Sequence, residues 1–547
     1  MKEYYRIHIG VVDDGINEHY YKGCVLKYNI EITDELAVLQ RSNYDKTTES
    51  HGSICASVIH KYAPKALISS IKILNENRTA QKNKLIRAIE WCCNHRVDVI
   101  NLSLGTIYPS DFSELQIAVM KAVKKGIIII GACSNSGRQT YPAYMSKVIG
   151  VKCDVTNTLK EGEYCYHYYP NDGINITASS NMVITTMDGG QRTLEYANSY
   201  AAAFMTSKVC EILQNNQYYN FMDVNRELAA NALYQEPSDY QFLNLKKEID
   251  WGTYAVIFTF GKESYLINRM LVSILDIVQL ETQSEDKTIQ DILQYCNQNS
   301  VMDTIIIDVN GIESREIKYN ANDLISNLSI LNKHIIYLDD RGITNKLIPK
   351  LSNHNINIWH PSIVKHFNYP KSKNLELPII TIYDLTQKNL INTVYELKKL
   401  FEHDGYHIAP LVDQCIGKLY GLEYIPMTED VLKSRRTEII DFVESFYHPD
   451  LLLIGSTSLE KDSYQMICQF EVDICIIITD IFNLEHTRLI QSITGCTIVL
   501  LTSARIPEIL LANKNIKVFD ASILKKFSLL YQYIMGLYDD SENLSES

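Results

Sequence analysis

The sequence predicts an α/β protein built on parallel sheets, and three observations point to this fold class. Short apolar strands alternate with helical segments along most of the 547 residues, a pattern typical of parallel sheets. The run Ile127 to Ile130 is apolar without interruption, as expected for a strand that helices cover on both faces. The chain is also longer than one hydrophobic core can serve, so we expect several domains.

Composition narrows the class of protein. Hydrophobic residues make up 46% and charged residues 21% of the chain, which is ordinary for a globular protein. The net charge of -13 argues against a nucleic-acid partner. No apolar run has the length of a membrane span, and the first residues lack the apolar core of a signal peptide.

The 13 cysteines are scattered and odd in number, which suits reduced thiols in the cytoplasm. The sequence contains no CxxC pair and no His/Cys cluster that would indicate zinc. We therefore expect a cytoplasmic protein that needs no metal and no other cofactor. Its oligomeric state stays open.

The first predicted region is a compact α/β domain over residues 1–215. Its first strand, Ile9 to Val12, begins almost at the start of the sequence, so we expect no N-terminal propeptide. Further strands are predicted at 67–74, 97–105 and 127–130, and helices at 53–63, around 85–92, up to 124 and at 201–213.

Three polar motifs lie at the ends of these elements. Ser199 stands among small residues where a loop enters a helix, and the first turn of a helix favours a developing negative charge. Taken alone, this motif is more typical of an N-cap serine. Upstream, the strand from Ile9 ends in Asp13 and Asp14, and His51 opens a small-residue helix. The chain order is therefore Asp, His, Ser, which is the subtilisin order.

With Asn135 after the apolar strand, these motifs resemble those of subtilisin-like serine peptidases over residues 1 to about 215. The family signatures read D-[ST]-G, H-G-T-H and G-T-S-M-A-x-P. The resemblance implies that Ser199 attacks the scissile carbonyl, that His51 takes its proton, and that Asp13 orients the imidazole. It also implies that Asn135 donates to the oxyanion, a contact whose worth of about 3 to 4 kcal/mol is known from subtilisin and not from this chain.

The same resemblance implies a substrate-binding segment, Ser103, Leu104 and Gly105, which lines the first specificity pocket and pairs with the substrate backbone.

Several positions depart from the family pattern. Asp14 replaces Ser or Thr and is expected to be a spectator, while Ala197-Asn198 replace Gly-Thr and Ala203 replaces Pro; His51 is followed by Gly-Ser-Ile. Because the reacting positions are all kept, we expect an active enzyme of narrow specificity. No Asp-rich loop predicts a calcium site.

Beyond a predicted linker at 216–250, the sequence predicts two smaller α/β units. A Rossmann-like unit over 251–370 has strands at 254–260, 304–309 and 334–338 and helices at 268–280 and 289–296. A degenerate P-loop-like unit over 371–538 has strands at 378–383, 450–454, 472–478 and 496–501. The turn from Asp384 to Leu390 lacks the motif G-x-x-x-x-G-K-[ST], so its backbone is not expected to wrap phosphate. The acidic residues 539–547 are expected to form a frayed tail.

The half from about 250 to 540 is similar to accessory proteins encoded with ribosomally made peptides that mature by modification and cleavage. This similarity rests on the strand and helix pattern and on the segments 401–406 and 453–456. It implies a peptidase that removes the leader from a precursor peptide, which would be the partner. Two alternatives stay open: a general cytoplasmic subtilase, and a non-catalytic peptide-binding scaffold with a drifted peptidase domain.

Overall fold

The structure is a computed structural model. It describes residues 6–545 except 22–24, 169, 171, 236–247, 262–264, 282–283, 312–319, 341–355, 366–376, 426–439, 441–442, 445–446 and 460–470. The chain divides into two compact units, one ending at Trp251 and one beginning at Gly252. Both contain parallel sheets with helices, which confirms the predicted α/β class. Within the described residues, no helix combines the length and the apolar character needed to cross a bilayer.

The first unit is built on a ten-stranded sheet. Its strand order is β12-β8-β9-β7-β6-β5-β1-β4-β2-β3, and a separate hairpin pairs β10 with β11. The strands are β1 His8–Asp13, β2 Leu26–Ile32, β3 Val38–Gln40, β4 Leu67–Lys72, β5 Val99–Leu102, β6 Ile128–Ala132, β7 Ile149–Cys153, β8 Tyr164–Tyr166, β9 Ile176–Ala178, β10 Val183–Thr185, β11 Gln191–Thr193 and β12 Tyr234–Gln235.

Seven neighbouring strands, from β9 to β2, run parallel. Five helices accompany the sheet: α1 His51–Tyr62, α2 Lys82–Asn94, α3 Phe112–Lys124, α4 Asn198–Asn215 and α5 Phe221–Ala230. Helices α1 and α4 pack together on one face, where Ile9, Val11, Val99 and Ile130 join the main core. Since parallel strands end at one edge of the sheet, the residues that follow β1, β5, β6 and β7 converge there.

The range 216–250 differs from the predicted linker. It contains α5, whose Phe221, Val224 and Leu228 are buried in the core of the first unit. The helix has a capping box formed by Asn220 and Asp223, which satisfies free N–H groups at its first turn. The first unit therefore extends to Trp251 and not to 215.

The second unit contains a five-stranded parallel sheet of order β14-β13-β15-β16-β17, an order known from flavodoxin-like sheets. Its elements are β13 Tyr254–Thr259, β14 Ser273–Gln279, α6 Glu285–Gln298, β15 Thr304–Asp308, α7 Ala321–Leu328, β16 His334–Leu338 and β17 Ile358–Trp359. The helix predicted at 268–280 is wrong, because this stretch forms the edge strand β14. An edge strand pairs on one side only, and most of β14 is exposed.

A seven-stranded parallel sheet follows, of order β20-β19-β21-β18-β22-β23-β24. Its elements are β18 Ile379–Asp384, α8 Leu390–His403, β19 Ile408–Val412, β20 Glu423–Tyr424, β21 Leu451–Ser456, β22 Ile474–Ile478, α9 Leu484–Ser492, β23 Thr497–Leu501, α10 Glu508–Leu511, β24 Ile516–Phe519 and α11 Phe527–Ser545. Helix α11 runs to Ser545, through most of the predicted tail. The predicted boundary near 370 lies outside the described residues, and the two sheets belong to one compact unit.

The turn after β18 is closed by its own carboxylate. Asp384 is fully buried and accepts hydrogen bonds from the backbone N–H groups of Thr386, Lys388 and Asn389 and from the Thr386 hydroxyl. In a phosphate-binding loop, such N–H groups point at the ligand. Here an internal carboxylate already satisfies them.

Candidate active site

Asp13, His51 and Ser199 form a continuous hydrogen-bonded relay at the carboxyl edge of the first sheet. His51 Nδ1 lies 2.8 Å from Asp13 Oδ2 and 3.0 Å from Oδ1. His51 Nε2 lies 2.8 Å from Ser199 Oγ. The exposed fraction is 1% for Asp13 and 7% for Ser199, whereas the His51 side chain is 20% exposed. The relay therefore reaches the surface only at its reacting end.

The local structure explains how residues so far apart in sequence meet. Asp13 is the last residue of the central strand β1, and His51 is the first residue of α1. Ser199 lies in the first turn of α4, whose N-cap is Ala197 and has no side-chain cap. Ser199 is thus not the N-cap, and its hydroxyl is directed at His51. Its own N–H is among the groups that a helix start leaves without an intrahelical partner.

Asp14 has a structural contact at this site. Its carboxylate accepts the backbone N–H of His51 at 3.0 Å and that of Gly52 at 2.8 Å. Burial, followed by the charge of Asp13, raises the pKa of Asp14. The carboxylate therefore fixes the start of α1, and with it the backbone of His51.

The surroundings of His51 favour its protonated form. The thiolate form of Cys55, whose Sγ lies 3.9 Å from Nδ1, and the hydrogen bond to Asp13 raise the pKa of His51, while burial opposes them. Burial also raises the pKa of the Cys55 thiol, so this thiol is neutral at neutral pH. The hydrogen bond from His51 Nδ1 to the buried Asp13 carboxylate acts to raise the pKa of His51.

Asn135 lies on an exposed loop that follows β6. Its side-chain Oδ1 accepts the backbone N–H of Asn198 at 3.3 Å. Because the oxygen of this amide is engaged, its NH₂ group is left to donate elsewhere. The residue next to the nucleophile thus sets the orientation of the Asn135 amide.

Ser103, Leu104 and Gly105 continue directly from the end of β5. The Ser103 hydroxyl points inward, where Asn101 donates to it at 2.9 Å and the Cys55 thiol lies 3.4 Å away. Gly105 is exposed, and the next residue, Thr106, exchanges two backbone hydrogen bonds of 2.8 Å with Tyr141. The segment is therefore anchored at one end near Cys55 and at the other by Tyr141.

Two residues at the site were not predicted from the sequence. Asn198 is buried and bonded to the segment that follows β6 and to the last residue of β7. Tyr200 stacks on His51, with ring centroids 5.5 Å apart. The departure of Asn198 from the family motif was a signal, whereas the packing of Tyr200 on the imidazole has no counterpart in the linear sequence.

One group of three potential metal ligands occurs within the described ranges: Asp13, His51 and Cys55, whose ligand atoms lie within 4.8 Å of one another. Oxygen, nitrogen and sulfur donors suit a soft divalent ion. The carboxylate and the imidazole are, however, already joined to each other and to Ser199. Binding an ion there would compete with the relay.

Residues 6–252 match the model of the Subtilase family, Peptidase S8. Among curated proteins, the minor extracellular protease Epr of Bacillus subtilis (strain 168) is 33% identical over 208 residues, which cover 36% of this chain and 29% of the relative. The thermostable alkaline protease of Halalkalibacterium halodurans is 38% identical over 174 residues, which cover 31% of this chain and 46% of the relative. The chain thus spans less than half of the length of either relative.

A solved structure described as a lanthipeptide protease overlaps 43% of this chain and 81% of its own, with 15% identity and a TM-score of 0.35. A likeness at this level carries no argument about substrate.

A parallel sheet that brings an Asp, a His and a Ser, in this chain order, together at one edge is the arrangement found in serine peptidases of the subtilisin order. The match over residues 6–252 is more specific. The N-terminal domain of this chain is a domain of the subtilase family.

Proposed function

We propose that the chain is a serine endopeptidase that hydrolyses peptide bonds through Ser199, His51 and Asp13. The observation that carries the proposal is the relay, with 2.8 Å between Ser199 Oγ and His51 Nε2 and 2.8 Å between His51 Nδ1 and Asp13 Oδ2. These distances lie within the range in which a base can take a proton from a nucleophile. The same relay argues against the scaffold alternative, because a drifted domain has no need to keep it.

In the proposed reaction, Ser199 Oγ attacks the scissile carbonyl while His51 Nε2 takes its proton. His51 then gives that proton to the leaving amine, and Asp13 stabilises the imidazolium between the two steps. The oxyanion accepts from the NH₂ of Asn135 and from the backbone N–H of Ser199. In the second half, His51 takes a proton from a water whose oxygen attacks the acyl carbonyl; the ester bond to Ser199 Oγ then breaks, and His51 returns the proton to this oxygen.

The substrate class is an extended peptide. Ser103, Leu104 and Gly105 lie beyond the ladder of β5, so their backbone groups can pair with a peptide as an added strand. Within this class, we propose the leader of a ribosomally made precursor peptide as the substrate. The second unit supports this proposal. It has two parallel sheets and lies outside the region that the family model matches. Its loop after β18 does not offer free amides to a phosphate, because Asp384 accepts their hydrogen bonds.

We place this activity in the cytoplasm, before export of the product. The eleven cysteines that the structure describes are all free thiols, and several are buried in apolar surroundings. Free thiols in this number suit a reducing compartment. A general cytoplasmic subtilase remains the second candidate, and it would share every feature of the first unit.

Labelling with a fluorophosphonate probe tests the enzyme proposal directly. We expect one label, on Ser199, and none in Ser199→Ala, which removes one hydroxyl and no core volume. Ser207→Ala is the matched control, because Ser207 is buried in the same helix and its hydroxyl donates only to Phe204 O. Labelling that persists in Ser199→Ala, or peptide hydrolysis above a few thousandths of wild type, would exclude Ser199 as the nucleophile.

A further inference from the structure

We propose that Asn198 is a positioning residue of the oxyanion hole. Its side chain fixes the loop that carries Asn135, and its backbone N–H sets the orientation of the Asn135 amide. The proposal rests on the proposed function, because it assumes that Asn135 donates to the oxyanion. It adds a residue whose part in the reaction lies entirely in holding that donor in place.

The side chain of Asn198 joins three segments at the carboxyl edge of the sheet. Its Nδ2 donates to the backbone oxygens of Cys133 at 3.1 Å and Ser134 at 3.0 Å. Its Oδ1 accepts the backbone N–H of Cys153 at 2.8 Å. An amide has two N–H donors and one carbonyl oxygen, and here both donors and the oxygen are used.

These contacts lie directly beside the donor. Cys133 and Ser134 are the two residues before Asn135, so the amide holds the loop at its exit from β6. Asn135 itself is exposed, and a surface loop without such an anchor would be mobile. The start of this loop is also held by Thr140, whose hydroxyl accepts the Ser134 N–H at 2.9 Å.

The backbone of Asn198 completes the arrangement. Its N–H donates to Asn135 Oδ1 at 3.3 Å, which leaves the Asn135 NH₂ for the oxyanion. Because Asn198 precedes Ser199, one residue relates the position of the oxyanion donor to that of the nucleophile. Effective catalysis needs this geometry, since a displacement of about 1 Å can cost about 100-fold in rate.

The chemistry of the side chain explains why an amide stands here. A Thr, as in the family motif, has one hydroxyl and cannot donate to two carbonyls while accepting from a third segment. Asn198 is only 7% exposed, so a backbone group that lost its hydrogen bond to this side chain would stay buried without a partner. Truncation of the amide would leave Cys133 O, Ser134 O and Cys153 N–H without it.

A double-mutant cycle tests the inference. Steady-state hydrolysis of a chromogenic peptide is measured for wild type, Asn198→Ala, Asn135→Ala and the double variant. Asn135→Ala should lower kcat by about 100- to 1000-fold, the magnitude known from subtilisin. Asn198→Ala should lower kcat about tenfold or more with KM changed less than about twofold, because the oxyanion exists only in the transition state.

The decisive comparison is the effect of Asn198→Ala in the Asn135→Ala background. If Asn198 acts through Asn135, the second substitution there should cost less than about twofold, since the donor that it positions is gone. An equal loss in both backgrounds would overturn the positioning role and leave a general structural effect. A rise in KM with kcat unchanged would also overturn it.

A second variant keeps the test valid where Asn198→Ala is too unstable to assay. Asn198→Asp has nearly the same shape and keeps the acceptor for Cys153 N–H, but it sets a carboxylate oxygen against the two carbonyls. We expect it to lose as much kcat as Asn198→Ala, and a wild-type kcat would contradict the inference. Ser207→Ala is the control for changes in a buried polar side chain of α4, and it should keep wild-type kcat.

The outcomes separate this inference from the proposed function. If Asn135→Ala leaves kcat unchanged, the oxyanion role of Asn135 fails, and the positioning role fails with it. If Asn135→Ala lowers kcat and the cycle is additive, only the positioning role fails. If Ser199→Ala still cleaves, the proposed peptidase mechanism fails whatever the cycle shows.

Discussion

The ring of Tyr200 lies against the imidazole of His51, with centroids 5.5 Å apart and ring planes inclined by 27°. Tyr200 directly follows Ser199, so the start of α4 supplies both the nucleophile and an aromatic face beside its base. When His51 takes the proton, its imidazolium faces this ring. The π face attracts a cation at such a distance by about 0.5 to 1 kcal/mol.

The pH dependence of kcat/KM follows from this contact and from Asp13. His51 must be neutral to accept a proton, and its pKa is raised above 6.5. Activity is therefore low below this raised pKa and increases as the pH rises through it. In Tyr200→Leu, the imidazolium loses its aromatic neighbour, so the pKa falls and the acid limb moves to lower pH by about 0.4 to 0.7 units.

Tyr200→Phe is the matched control for this shift. It keeps the aromatic face and removes only the hydroxyl, so its acid limb should coincide with that of wild type. Profiles of kcat/KM from pH 5 up to the highest pH at which the protein stays folded would show the difference. A limb that stays in place in Tyr200→Leu would mean that the stacking does not affect the charge of His51.

Gly105→Ala should weaken substrate binding. A Cβ at this position would lie 2.5 Å from Tyr141 O and 2.6 Å from Thr140 Cγ2, and a backbone carbonyl cannot move aside cheaply. The segment 103–105 must shift, and the strand that it offers to a peptide shifts with it. We expect kcat/KM to fall about tenfold or more, chiefly through KM.

Gly536→Ala provides the control, since nothing lies within 4 Å of an added Cβ there. Its activity should equal that of wild type. An unchanged KM in Gly105→Ala would exclude residues 103–105 as the substrate-binding strand.

The sequence was sufficient where one physical rule determined the outcome. Apolar strands buried on both faces, such as β6, were predicted within one or two residues. Asp13 and Asn135 were assigned to one site by the family resemblance, and the rule that parallel strands end at one edge of the sheet accounts for it. These residues are 122 positions apart, yet the position of each is determined by a strand: Asp13 is the last residue of β1, and Asn135 comes shortly after β6.

The sequence was insufficient where the outcome depends on neighbours in space. The stretch 268–280 has enough apolar residues for a helix, but Ser273 to Gln279 pair with β13 as an edge strand. In the sequence, Asp14 has no evident role beside Asp13. Only the structure shows that it accepts the first N–H groups of α1 and so caps this helix. Asn198 and Tyr200 acquire their contacts from β7 and from His51, which are distant in the chain.

ATP should have no effect on this protein. The N–H groups of the turn after β18 are bonded to Asp384, and a phosphate would have to displace this buried carboxylate. Millimolar ATP with Mg²⁺ should change neither the rate of cleavage nor the midpoint of thermal unfolding. A higher midpoint with ATP would show binding to the folded state and would contradict this account of the turn.

The proposed role of the second unit can be tested by removing it. A chain that ends at Trp251 keeps the whole first unit, including α5, which a chain that ends at 215 would lose. We expect it to keep fluorophosphonate labelling at Ser199. It should lose preference for a full precursor peptide, because binding remote from the scissile bond raises kcat/KM only for substrates long enough to use it.

The quantity to measure is the ratio of kcat/KM for the full precursor to kcat/KM for a short chromogenic peptide, in the intact and the shortened chain. The ratio should fall about tenfold or more on shortening, while the value for the short peptide changes little. The shortened chain must first be shown to be monodisperse, since aggregated protein would distort the ratio. An unchanged ratio in a well-folded, monodisperse chain would leave the second unit without a part in recognition and would favour the general subtilase.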